Sequence, residues 1–133
     1  MKKYLFILLC LVSVTGYGQV LWFKTTGYAE ATIVNSKYYW SDWQDSDMKL
    51  YIDLSKDQVV IYSPRVQIYQ VYGAYNNGDS YTDKSGGSNI MFYVIDQDYD
   101  KGTLRLRVEK NGNSQIYIDF SNIAWVYNVI RIE

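Results

Sequence analysis

The run Leu104-Arg105-Leu106-Arg107-Val108-Glu109-Lys110-Asn111-Gly112-Asn113-Ser114-Gln115-Ile116-Tyr117-Ile118-Asp119-Phe120 alternates apolar and polar side chains on both sides of an Asn-Gly pair. A strand repeats every two residues, so Leu104, Leu106 and Val108 share one face and Ile116, Ile118 and Phe120 continue it on a returning strand. Asn111-Gly112 suits the left-handed backbone of a two-residue hairpin turn. The pattern predicts an antiparallel hairpin with one greasy and one wet face.

The same period recurs outward from this hairpin. Met48, Leu50, Ile52 and Leu54 face one way while Lys49, Tyr51 and Asp53 face the other, and residues 55–58 turn the chain into Val59-Val60-Ile61-Tyr62. Further strands are expected at 20–25, 29–35, 66–75, 90–96 and 125–132. No stretch is apolar at helical spacing. Pro64, which lacks a backbone donor, reads as a corner between strands. Turn clusters fall at Ser36-Lys37, 41–47, 76–79, 84–89 and 97–102. About eight strands joined by short turns predict an all-β fold, a small up-and-down antiparallel barrel, with a two-sheet β-sandwich as the alternative. A membrane-spanning barrel fits less well, because spanning strands need about 9–11 residues with an apolar outer face. Leu50-Tyr-Ile-Asp-Leu-Ser55 also echoes Ile116-Tyr-Ile-Asp-Phe-Ser121. One strand's length is too short to make that a repeat.

Residues 1–18 form a secretory signal: Lys2 and Lys3, an apolar run of about eleven residues from Tyr4, and Gly16-Tyr17-Gly18 before Gln19. That run is short of the ~20 residues of a membrane span, so no retained anchor is expected. Leu9 precedes Cys10 and the run continues past it, which argues against a lipidated cysteine. The expectation is one all-β domain over residues 19–133, secreted or periplasmic after cleavage. Without Lys2 and Lys3, the 13 basic residues fall to 11 against 14 acidic, a net charge of −3. The charges are scattered, which leaves no basic stripe for nucleic acid.

The chain has no histidine, and its one cysteine lies in the signal. That removes Ser-His-Asp, thiolate and zinc-histidine chemistry from the mature domain. Carboxylate catalysis by a pair drawn from Asp42, Asp45, Asp47, Asp96, Asp98 and Asp100 survives as an alternative, a glycoside hydrolase. All six sit in or beside turns, where carboxylates are usually solvated. Asp96-Gln-Asp98-Tyr-Asp100-Lys-Gly102 presents alternate aspartates that could wrap Ca²⁺. It departs from the EF-hand loop, since Lys101 takes the glycine slot and Arg107 the place of the bidentate glutamate, and an acidic β-turn is the simpler reading. Lys84-Ser-Gly-Gly-Ser-Asn89 lacks a strand-to-helix setting for phosphate and reads as a mobile loop.

Thirteen of the fifteen tyrosines and all four tryptophans lie in residues 19–133. They concentrate at Tyr38, Tyr39, Trp40, Asp42, Trp43 and Gln44, a set suited to a glycan or a protein ligand: rings for stacking, carboxyl and amide for hydroxyls. Trp22, Tyr69, Tyr72, Tyr75 and Tyr81 are candidates to extend it. The expected role is a non-enzymatic exported binding module. A further alternative is a structural or assembly protein that adds a strand through an exposed sheet edge. The signal, Tyr117-Ile118-Asp119-Phe120-Ser121 and Trp125-Val126-Tyr127-Asn128 together make the chain look like small secreted β proteins of gut bacteria and their bacteriophages. That resemblance implies no function. Length and strand count also resemble lipocalin-like and avidin-like barrels, which implies a ligand in the barrel mouth by analogy alone.

Overall fold

The computed structural model describes residues 20–132, so the expected signal segment 1–18, Cys10 and Gln19 lie outside the described residues. Eleven strands follow in order: β1 (Val20–Val34), β2 (Lys37–Trp40), β3 (Gln44–Asp45), β4 (Lys49–Asp53), β5 (Gln58–Ile61), β6 (Gln67–Ala74), β7 (Tyr81–Thr82), β8 (Ser88–Ile95), β9 (Lys101–Val108), β10 (Ser114–Asp119) and β11 (Ile123–Arg131). They reduce to eight staves. β2, β3 and β4 are one interrupted stave laid antiparallel along β1, and β7 continues β6 along β8. Each stave pairs with its neighbour in sequence, and β11 returns to pair with β1 from Phe23 opposite Arg131 to Thr32 opposite Ile123. The sheet is therefore a closed up-and-down antiparallel barrel rather than a two-sheet sandwich.

Side chains fill the interior, as the width of an eight-stranded barrel allows. Phe23, Leu50, Ile52, Ile61, Ile90, Leu104, Leu106, Ile116 and Ile118 are all essentially inaccessible and belong to one cluster. The expected hairpin forms, with Leu104 opposite Ile118 and Leu106 opposite Ile116. Its turn differs. Gly112 N–H donates to Glu109 O and Glu109 N–H to Asn113 O, and only Gly112 is left-handed, with φ 90°. This is a three-residue loop, a type I turn followed by a glycine bulge, so the Asn-Gly pair does not form a two-residue turn.

Expected strands 20–25 and 29–35 are one strand with a bulge at Thr26, where the register against β11 slips between Thr25 and Gly27. Thr25 Oγ1 sits 2.7 Å from Ser46 Oγ and accepts the Met48 amide, which satisfies polar groups at the irregularity. One extra residue exchanges the two faces of a strand. Leu21, Phe23 and Thr25 point into the barrel, whereas beyond the bulge Tyr28 does and Gly27, Ala29 and Ala31 point out.

The glycine-rich segment after Asp83 is a closed turn held by one carboxylate. Asp83 accepts the amides of Ser85 and Gly87, the Asn89 side chain and the Arg107 guanidinium, the last at 2.7 Å. Four partners on one side chain correct the expectation of a free loop. The hydrogen bonds from Arg107 and then Asn89 hold the Asp83 carboxyl well below its ordinary 3.8.

Two measurements test this account. Leu104→Ala empties a fully buried site and is expected to cost about 2–5 kcal/mol in urea unfolding. Because the folded Asp83 carboxyl binds its proton more weakly than the unfolded one, its contribution is full above the ordinary value and is lost as the pH falls below it. Asp83→Asn should therefore lower the thermal midpoint at pH 7 and flatten its decline below about pH 4.

Candidate functional site

Asn35 and Ser36, both left-handed, turn β1 into β2, so that Tyr38 stands opposite Ile33 and Trp40 opposite Ala31. Paired residues share a face, and the bulge has put that face outside. Across β1, Ala31 pairs with Ala124 and Ala29 with Val126 of β11. These four small residues point away from the core and are nevertheless buried, at 3% exposure or less. The aromatic segment of the second stave covers them. Tyr38 reaches across β1 and β11 to donate its hydroxyl to Asp119 Oδ2 at 3.2 Å. Its ring lies 6.0 Å from that of Trp40 at 21° between planes. Trp43 lies over Gly27, where a Cβ would meet its ring at 3.7 Å and the Gln44 carbonyl at 3.3 Å. The tight neighbour of such a Cβ is the Gln44 carbonyl, and the ring is at ordinary contact distance.

The segment is anchored at its break. Ser41 N–H donates to Glu30 O, and Ser41 Oγ accepts the Glu30 amide. Gln44 Oε1 accepts the Tyr28 hydroxyl at 3.0 Å. Tyr38, Trp40 and Trp43 keep 45%, 43% and 52% exposure and form a ledge on the outer wall. Asp42 is exposed on the link between β2 and β3. Tyr39 belongs to the opposite face, across from Thr32, and is separate from the ledge.

Beyond the ledge runs a polar wall that alternation alone did not single out. Asp119 keeps one carboxyl oxygen buried without a hydrogen bond, and burial raises its pKa. Arg105 lies 4.1 Å over the Tyr117 ring and donates to Asn89 Oδ1 at 2.8 Å. The signal available was the echo itself. Asp53 and Asp119 sit in the same word, yet Asp53 caps the turn to Ser55 and Lys56, while Asp119 receives a tyrosine from three strands away round the barrel.

The barrel end beside the ledge carries a cleft of about 470 Å³ between the loops at 63–66 and 96–98, with Tyr69 and Trp125 in its lining. Trp125 Nε1 donates to Glu30 Oε2 at 3.0 Å, and the Tyr69 hydroxyl to Gln67 Oε1 at 2.6 Å. Burial raises the Tyr69 pKa. Each ring carries one hydrogen bond, and Tyr69 belongs to the core beneath the cleft.

The other candidate rings do not extend the ledge. Trp22 packs with Tyr51 and Tyr62, Tyr72 with Tyr93, and Tyr75 with Tyr81, each group separate on the barrel. Nor do the aspartates of 96–100 converge. Asp96 Oδ1 accepts the amides of Asp98 and Asp100 at 2.9 Å, with Tyr99 left-handed between them. Among the described residues, no group of three or more acidic, histidine or cysteine side chains is placed to hold a metal. No protein-family model, curated protein or solved structure matches the chain.

Asp96 Oδ1 is engaged by its own turn, and Asp98 and Asp100 do not join it in a metal-holding group. The thermal midpoint is expected to stay constant between millimolar Ca²⁺ and excess chelator; a rise with Ca²⁺ would restore the ligand reading of Asp96, Asp98 and Asp100.

Proposed function

We propose that the chain is exported and that its mature domain is a non-enzymatic binding module, holding a glycan on the ledge of Tyr38, Trp40 and Trp43. One observation carries the reading: three large rings stay about half exposed although small residues lie directly beneath them. Burying those rings further would have cost the fold little, and leaving them out costs apolar surface in water. Rings held by Asp119, Gly27 and Ser41 offer fixed apolar faces at small entropic cost on binding. Asp42, exposed on the link between Trp40 and Trp43, stands beside them as a group for hydroxyls, whereas Gln44 lies on the other face and is engaged by Tyr28. Sugars, with apolar C–H faces and polar rims, match that combination.

Binding is favoured over hydrolysis by the state of Asp119. It is a carboxyl that burial raises, as a general acid requires, but Tyr38 occupies one oxygen and the other is sealed from solvent. Neither oxygen is open to a substrate.

A glycan array followed by calorimetry tests the proposal. The wild type is expected to bind at least one oligosaccharide, and Trp40→Ala with Trp43→Ala to weaken it about tenfold or more, about 1.4 kcal/mol. Trp22→Ala, on a separate aromatic cluster, should leave affinity unchanged. Equal loss in both variants, or no ligand at all, would end the reading.

A further inference from the structure

The closed barrel leaves one seat empty. β5 covers only β4, Leu50 to Asp53, so the upper half of the second stave has a neighbour on one side alone. Among the described residues β2 pairs with β1 only, and all four of its residues are exposed. The phase of its ladder follows from the turn: Lys37 and Tyr39 bond to β1, as Ser41 does to Glu30 O. The N–H and C=O groups of Tyr38 and Trp40 therefore point away from the sheet. An unpaired row of this kind is a template for another strand.

We infer that this edge pairs with β2 of a second copy of the chain, in antiparallel register centred on Tyr39. The register is the one the edge dictates. Same-face pairing requires that residues be related about a residue rather than about a bond. Centring on Tyr39 sets Tyr38 opposite Trp40 of the second copy and Trp40 opposite its Tyr38, and each pair can exchange two main-chain bonds. The stacked rings of one ledge then continue into those of the other. Lys37 comes opposite Ser41 of the second copy, one residue from its Asp42, so the charges that meet are opposite in sign. In the single chain neither Lys37 nor Asp42 is in an ion pair among the described residues. A strand of four residues offers an unrelated peptide little, whereas a two-fold axis uses every feature twice.

The inference is independent of what the ledge binds. Its test is the full mature chain in analytical ultracentrifugation up to about 1 mM protein, with amide hydrogen exchange on the same samples. A concentration-dependent dimer is expected, with the Tyr38 and Trp40 amides gaining protection as it forms and the Tyr39 amide, already bonded to β1, changing little. Lys37→Glu and Asp42→Lys should each weaken the dimer by about tenfold, and the double exchange should restore it. Both positions are exposed, so unchanged thermal midpoints would exclude misfolding as the cause. A monomer at every concentration, or a dimer in which the two amides stay unprotected, would overturn the inference; so would single exchanges that leave the dimer intact or a double exchange that fails to rescue it.

Discussion

One extra residue at Thr26 organises this molecule. Before it, β1 contributes Leu21, Phe23 and Thr25 to the barrel interior, and after it the same strand turns its small residues outward. A strand of fifteen residues would otherwise keep one face toward the core along its whole length. The bulge lets a single strand close the barrel with β11 and also lay down a shallow floor of Ala29, Ala31, Ala124 and Val126 on the outside. The hydroxyl of Thr25 stabilises the irregularity by taking up the Met48 amide.

From that floor the ledge follows by packing. Rings can lie flat only where side chains beneath them are small, and Gly27 has no side chain under Trp43. Tyr38 spans two strands because alanines separate it from Asp119. The buried, half-satisfied Asp119 carboxyl is the cost of that span, and its raised pKa is the electrostatic sign of it. Asp83 shows the opposite case on the same wall, a carboxylate with four donors that is held ionised. Two aspartates on one barrel thus contribute in opposite senses as the pH falls.

Much of the barrel was legible from residues alone. The alternation at Leu104 to Phe120 and at Met48 to Leu54 located staves and their inward faces, because burial on one side leaves no other solution. The concentration of rings at residues 38–43 was equally plain. Less legible were features set by distant partners. The Asn111-Gly112 pair suggests a two-residue turn, yet setting Leu106 opposite Ile116 on the inward face takes the three-residue loop that forms, and the glycine-rich turn after Asp83 looks free until Arg107 is brought to it. Tyr39 reads as one more ring of the cluster, and a single pleat removes it.

Periodicity and composition by themselves determined an antiparallel β domain with no cysteine or histidine in residues 20–132, since those properties depend only on which residues follow one another. Closure of β11 on β1, the outward turn of Ala29 and Ala31, the union of Tyr38 with Asp119 and the open edge of β2 were decided by the tertiary structure. Each joins residues far apart in the chain, and only the curvature and stagger of the closed sheet set which of them meet.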